Sequence, residues 1–152
     1  MDEKQVIEVL NDLIENCKDG EYGFKSTAEH ARSHNLKQVF LARSEDCRAA
    51  TQQLQDIVAQ MGGDSAEHGT LAGAAHRGWV AVKGTLAGYS DLNMLEEAER
   101  GEDAAVARYR DALEHDLPAH VRALVQAQYE GVKRNHQQIR ELRDQARAGT
   151  LL

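Results

Sequence analysis

Aromatic residues, proline and cysteine are all scarce in this 152-residue sequence. Aromatics make up 5%, and Pro118 is the only proline. Runs of Val, Ile, Tyr and Thr that would favour strands are absent, whereas the helix-forming residues Ala, Leu, Glu, Gln and Arg dominate. Cys17 and Cys47 lie within helical patterns and form no Cys-x-x-Cys motif, so no disulfide framework is indicated. The sequence predicts a single all-α domain that covers residues 1–152.

An excess of positive charge and long apolar runs are also missing. The net charge is −7, which argues against binding to the phosphate backbone of nucleic acid. No apolar run has the roughly 20 residues that a membrane-spanning helix needs. The charged start, Met1 to Lys4, lacks the apolar core of a signal peptide. We therefore expect a cytoplasmic protein that has neither nucleic acid nor membrane as a partner.

Apolar residues recur every three or four positions in four long segments, which is the pattern of helices that bury one face. Asp2 is suited to cap the first helix, and Asp116 followed by Pro118 is suited to start the fourth. Gly62 and Gly149 are suited to end the second and the fourth. The predicted helices cover residues 3–33, 36–61, 91–115 and 117–147.

Short links join the first helix to the second and the third to the fourth, so each pair is predicted to form an antiparallel hairpin. A connection of about 28 residues separates the two hairpins. Within it, residues 71–86 are predicted to form a helix of their own that carries His76 and Trp79. A connection this long can travel the length of a bundle. The topology therefore favours a ferritin-like four-helix bundle with one long crossover.

Two glutamates occupy matching positions in the two predicted hairpins. Glu21 lies 13 residues before His34, Glu102 lies 13 residues before His115, and each glutamate follows a glycine. At 1.5 Å per residue, both lie about 20 Å from their hairpin ends, near the middle of the bundle. Both also fall on the apolar face of their helix. A carboxylate there needs a partner, because an isolated buried charge costs several kcal/mol.

Further polar residues fall near the same level. Glu99 shares a helix face with Glu102, and Gln128 and His136 lie on or beside the apolar face of the fourth helix. Carboxylate and imidazole groups are ligands of iron and manganese. We therefore predict a metal site drawn from five residues: Glu21, Glu99, Glu102, Gln128 and His136. The alternative is a polar waist without metal, in which Arg43 pairs with one of the glutamates.

Four glycines lie inside the predicted helices at about this depth: Gly20, Gly23, Gly101 and Gly131. Each costs roughly 1 kcal/mol relative to alanine in a helix interior. Their shared level predicts either a close approach of two helices or room for the crossover at the middle of the bundle.

Three parts of the sequence resemble an uncharacterised bacterial family of small ferritin-like proteins. They are Leu10 to Phe24, His76 to Trp79 together with Leu95 to Asp103, and Gln128 to His136. This resemblance implies a ferritin-like bundle, often dimeric, with no established activity.

Di-iron members of the wider ferritin-like class use one Glu on each of two helices and Glu-x-x-His on the other two. Glu21 and Glu102 match the single-Glu positions. At the matching depth, however, the second and fourth helices carry Cys47 and Gln128. A reduced or single-metal site stays open as an alternative, in which His136 is expected nearer to Glu99 than to Glu21. Its ligands would be Glu21, Glu99, Glu102 and His136.

Two main functions are consistent with these features. The first is a non-enzymatic, stress-associated ferritin-like homodimer with an optional iron or manganese ion at its waist. The second is a di-iron or di-manganese oxidase or peroxide scavenger of the rubrerythrin kind, in which carboxylates hold a redox metal. A third is a helical adaptor that binds a partner protein. Metal content separates the first from the second.

Overall fold

The structure of the protein is a computed structural model in which residues 1–67 and 90–150 are described. They form four helices: α1 (Glu3–His30), α2 (His34–Gln60), α3 (Asp91–Leu113) and α4 (Ala119–Arg147). No strand occurs in either described range, and none of the four helices is long and apolar enough to cross a membrane. The predicted all-α class is confirmed. The predicted crossover helix at 71–86, with His76 and Trp79, lies outside the described residues.

The helices begin and end where side chains or backbone conformation suit those positions. The Asp2 carboxylate accepts a hydrogen bond from the backbone N–H of Gln5 at 2.8 Å, and the Gln5 side chain accepts one from the N–H of Asp2 at 2.9 Å. This capping box confirms the predicted start of α1. Gly62 and Gly149 have φ of 74° and 73°. This left-handed conformation favours glycine, and it ends α2 and α4 as predicted.

The predicted end of the first helix is wrong by three residues. Helix α1 ends at His30, because Ala31 already has an extended backbone with ψ of 142°. Ser33 belongs to the next helix, since its hydroxyl accepts a hydrogen bond from the N–H of Leu36 at 3.3 Å. A residue counted as the end of α1 is therefore the N-cap of α2.

The predicted start of the fourth helix is also wrong. Helix α4 begins at Ala119, and Asp116 is not its cap. Pro118 occupies the N-cap position with ψ of 148°, and its side chain makes no capping hydrogen bond. The helical conformation starts only after the proline, which places Asp116 too far upstream to reach the first N–H groups.

The two hairpins pack together so that their core is divided in two. Helix α1 packs on α2 and on α3, and α3 packs on α4, whereas α2 and α4 meet at few places. One cluster of buried side chains consists of Val6, Leu10, Leu13, Ile14, Cys17, Leu54, Val58, Tyr109, Ala112, Leu117, Val121 and Val125. The other consists of Phe24, Ala28, Ala31, Leu36, Phe40, Met94, Leu95, Ala98 and Ile139. The middle of the bundle lies between them.

Candidate functional site

A cavity of about 720 Å³ lies at the middle of the bundle and is lined by residues of all four helices. It touches both core clusters, since its wall includes Tyr109 from the first and Phe24 from the second. The four mid-helix glycines also lie on this wall: Gly20, Gly23, Gly101 and Gly131.

The glycines divide into one that allows a close approach and others that leave space open. A Cβ on Gly20 would lie 2.8 Å from Cys47 Sγ, so Gly20 permits the contact between α1 and α2. A Cβ on Gly23 or Gly101 would have no neighbour within 4 Å, and one on Gly131 would make only ordinary contact. The predicted close approach of two helices therefore applies at Gly20. The crossover, for which the glycines were predicted to leave room, lies outside the described residues.

Among the predicted metal ligands, Glu102 is the most deeply buried ionisable residue on the cavity wall. Its side chain is buried in α3, with only 4% of the residue exposed, which confirms that it faces inward. Burial raises the pKa of Glu102 to about 8, Arg43 opposes this rise, and Asp46 and Asp103 add to it. Within the described residues, its carboxyl group accepts no hydrogen bond.

The two cysteines are free and lie on the same wall. Cys17 Sγ lies 3.2 Å from the hydroxyl oxygen of Tyr109. Burial raises the pKa of the Cys17 thiol to about 11 and that of Cys47 well above its usual value. A protonated thiol is a poor nucleophile, so both cysteines serve as small core residues in this state.

Gln128 has its amide group fully engaged. Its Oε1 accepts a hydrogen bond from the Tyr109 hydroxyl at 2.7 Å, and its Nε2 donates to Gln53 Oε1 at 2.9 Å and to the Ala50 carbonyl oxygen at 3.4 Å. These bonds join α2, α3 and α4 at the level of the cavity. They give Gln128 a structural role at this level.

Glu99 and His136 do come together, and Asp103 joins them. One ligand atom from each of these three residues lies within 4.8 Å of the other two. His136 Nε2 lies 2.5 Å from Asp103 Oδ1, and Arg143 pairs with the Glu99 carboxylate. The expected nearness of His136 to Glu99 is confirmed. Asp103 was missed, although its position one turn after Glu99 is visible in the sequence.

Glu21 does not meet the other predicted ligands. Its carboxylate is not on the cavity wall, and its backbone carbonyl oxygen accepts a hydrogen bond from the buried Ser44 hydroxyl at 2.8 Å. The inward position of α1 belongs to Gly20, which contacts Cys47. Glu21 is therefore turned away from Glu102, even though the two residues were counted to the same depth.

Arg43 is the cation whose charge acts on the buried Glu102 carboxyl group. Its Nη2 forms an ion pair with Asp46 at 2.9 Å, and its Nη1 donates to Asn135 Oδ1. It lowers the pKa of Glu102 through its charge but forms no hydrogen bond with that residue. The predicted pairing of Arg43 with a glutamate is thus limited to a longer-range attraction.

The side chains of α3 and α4 fit a single metal ion better than a pair of ions. Two carboxylates and one imidazole at Glu99, Asp103 and His136 match the oxygen and nitrogen ligands of iron or manganese. A di-iron centre would need further carboxylates and histidines from α1 and α2. At the cavity wall, those helices contribute the carboxylates of Asp19 and Asp46 together with Cys17 and Cys47, and no histidine among their described residues lies there.

Comparisons with known proteins agree with this architecture. The family model of a domain of unknown function, DUF2383, matches residues 5–115. No curated protein sequence matches the chain. Among solved structures, the chain is similar to a dodecameric thioferritin, the bacterioferritin-related protein of Bacteroides fragilis. The TM-score is 0.76 at 14% identity, over 98% of this chain and 90% of that one. The fold is therefore ferritin-like, and the chain belongs to the DUF2383 family.

Proposed function

We propose that this ferritin-like protein binds one divalent transition-metal ion, iron or manganese, at Glu99, Asp103 and His136. One observation carries the proposal: ligand atoms from these three residues lie within 4.8 Å of one another. Helix α3 supplies both carboxylates and α4 supplies the imidazole. The site belongs to the hairpin formed by these two helices and does not span the whole bundle.

The surroundings of the three residues suit metal binding. The Glu99 and His136 side chains are 17% and 20% exposed, whereas Asp103 is 62% exposed. Two ligands are thus held by packing, while the third faces solvent and leaves a path for the ion. Arg143 holds the Glu99 carboxylate in place through its guanidinium group. Metal binding requires a neutral imidazole, so affinity should fall at acidic pH.

The proposed role is that of a non-enzymatic, stress-associated cytoplasmic protein that forms a homodimer. The engaged amide of Gln128 and the protonated thiols of Cys17 and Cys47 support a non-enzymatic role, because they stand where a di-iron catalyst would place ligands. Self-association is supported by the similar thioferritin, which is dodecameric.

A second candidate is a di-iron or di-manganese oxidase or peroxide scavenger. One observation favours it: the buried Glu102 lies on a mid-bundle cavity that all four helices line. In this case Glu102 would supply one ligand of a metal pair, and the cavity would admit oxygen or peroxide.

Anaerobic loading with Fe²⁺ or Mn²⁺, followed by metal analysis, tests both candidates. We expect one ion per chain, lost in His136→Ala and in Asp103→Asn but kept in Glu21→Ala. His115→Ala is the matched control, because His115 is exposed just beyond the C-terminal end of α3. Two ions per chain, lost in Glu102→Gln, would establish the second candidate. Absence of binding above trace would reject both. Light scattering of the eluting protein checks the expected dimer mass.

A further inference from the structure

The mid-bundle cavity has the size and walls of a site for a small organic molecule. Its volume of about 720 Å³ lies within the range of roughly 300–1,000 Å³ that is typical of ligand pockets. Apolar side chains of Phe24, Ala98 and Val132 lie on its wall. Beside Gly23 and Gly101 there is room for side chains that the sequence does not supply. The helices tolerate these glycines despite a cost of about 1 kcal/mol each.

Two polar groups on this wall make no hydrogen bond with the described residues, and one of them, Arg43 Nε, is a fully buried unsatisfied donor. The carboxyl group of Glu102, in a residue only 4% exposed, receives no hydrogen bond from the described residues. The Nε of Arg43 is buried and has no acceptor, although the other guanidinium nitrogens contact Asp46 and Asn135. Leaving a buried donor or acceptor unsatisfied costs about 1–3 kcal/mol. Such pairs of groups are normally satisfied by water or by a ligand.

The nature of these groups specifies the head group of a ligand. Arg43 Nε–H needs an acceptor, and a Glu102 oxygen needs a donor. A charged head group would meet a like charge on this wall, since an anion would face the Asp46 carboxylate and a cation would face the Arg43 guanidinium. An uncharged alcohol or primary amide offers both a donor and an acceptor.

We propose that the cavity binds a small uncharged amphipathic molecule whose hydroxyl or primary amide group bridges Arg43 Nε and the Glu102 carboxyl group. The hydrocarbon part packs against the apolar wall, next to the backbone at Gly23 and Gly101. This site is separate from the proposed metal site on the α3–α4 hairpin. The binding is therefore measured with a chelator present.

Hexanamide is a suitable probe, and NMR titration of the ¹⁵N-labelled full chain is a direct test. The amide signals of Gly23, Gly101 and Gly131 report on the cavity, and that of Gly149, beyond the end of α4, is the internal control. We expect saturable shifts at the three cavity glycines only. Hexanoate and hexylammonium should bind about tenfold more weakly than hexanamide. Shifts that do not saturate as hexanamide is added would mean that water alone fills the cavity. Binding of hexanoate or hexylammonium as tight as that of hexanamide would overturn the assignment of an uncharged head group.

Variants test the bridge between the two polar groups. We expect Arg43→Met and Glu102→Leu each to weaken hexanamide binding about tenfold. The exposed Arg140→Met and Glu141→Gln variants on α4 are the matched controls and should bind as wild type does. Unchanged affinity in Arg43→Met and Glu102→Leu would contradict the proposal.

A cavity-filling variant decides the question if a polar variant fails to fold. Gly101→Leu leaves Glu102 and Arg43 unchanged and adds a side chain to the cavity wall, at a position where a Cβ would meet no atom within 4 Å. Circular dichroism establishes that it folds. It should abolish the saturable shifts at Gly23 and Gly131, and retained binding would show that hexanamide does not enter the cavity.

Discussion

The Tyr109 hydroxyl on α3 donates a hydrogen bond to Gln128 Oε1 on α4 at 2.7 Å. The same hydroxyl lies 3.2 Å from Cys17 Sγ on α1, and Gln128 continues the chain of hydrogen bonds to Gln53 on α2. One buried phenol thus links all four helices next to the cavity. This network differs from the polar waist predicted as the alternative to a metal site, because no glutamate takes part in it.

Tyr109→Phe tests how much this network stabilises the bundle. The variant leaves the Gln128 acceptor without its donor in a buried place, so the free energy of unfolding should fall by about 1–2 kcal/mol. Urea denaturation with an unchanged m-value measures the effect. Tyr129→Phe is the control, because the Tyr129 ring lies under Lys133 and its hydroxyl makes no hydrogen bond with a described residue. Equal stability of Tyr109→Phe and wild type would show that the network contributes nothing.

Asp91 at the start of α3 holds the link between α1 and α2. Its carboxylate accepts hydrogen bonds from the backbone N–H of Arg32 at 2.6 Å and of Ser33 at 3.1 Å. Removal of these charge-assisted bonds in Asp91→Ala should lower the free energy of unfolding by about 1–3 kcal/mol. Asp91→Asn should lose less, since it keeps one acceptor. Asp111 is an exposed carboxylate on the same helix, and the Asp111→Ala variant should unfold with nearly the same free energy as wild type. A comparable loss of stability in that variant would mean that removal of any negative charge from α3 destabilises the protein.

The helices and hairpins were predictable because each boundary depends on residues that are close in sequence. Asp2 with Gln5, and the glycines at 62 and 149, act within one turn of the helix they delimit. The error at Pro118 arose because two local signals competed. An acidic cap and a proline both mark a helix start, and the extended backbone of the proline decided the outcome.

The candidate site was only partly predictable, because it depends on the rotation of each helix about its axis. Glu102 faces inward as expected, whereas one neighbouring glycine on α1 turns Glu21 outward. The periodic pattern of a helix is formed by its apolar side chains. Gly20 has no side chain, so the pattern does not indicate that Gly20 is the residue of α1 that faces inward. Asp103 was passed over because it lies beside the apolar face and meets His136 only through the pairing of α3 with α4. The spacing of residues within one helix does not predict which residues of another helix they contact.

Glu102 should make the stability of the bundle depend on pH. Its pKa is about 8 in the folded chain against an ordinary value of 4.5. Between these values the folded state holds a proton that the unfolded state has released, so the free energy of unfolding falls as pH rises, by up to about 1.4 kcal/mol per unit. Below pH 4.5 the group is protonated in both states and this penalty is absent.

Urea titrations at several pH values, with a chelator present, measure this dependence. Glu102→Gln should unfold like wild type near pH 4.5 and be the more stable protein above pH 8. The exposed Glu141→Gln variant should keep the slope of wild type. A Glu102→Gln variant whose stability runs parallel to wild type across this range would show that the pKa of Glu102 is the same in the folded and the unfolded chain.

Gly20 and Gly101 should respond in opposite directions to the same added methyl group. A Cβ on Gly20 would lie 2.8 Å from Cys47 Sγ, whereas one on Gly101 would meet no atom within 4 Å. Gly101→Ala should therefore raise the free energy of unfolding by about 1 kcal/mol, the usual difference in helix propensity. In Gly20→Ala the same gain is opposed by a strain of about 1–3 kcal/mol from overpacking, so that variant should be less stable than Gly101→Ala.

The double variant Gly20→Ala with Cys47→Ala separates strain from propensity. Removal of the sulfur atom frees the space that the new methyl group needs, so the loss caused by Gly20→Ala should be smaller in a Cys47→Ala background than in wild type. Thermal and urea denaturation of the four proteins in this cycle give the coupling free energy directly. A coupling near zero would mean that α1 and α2 can move apart at no cost, and that the close approach at Gly20 does not shape the cavity.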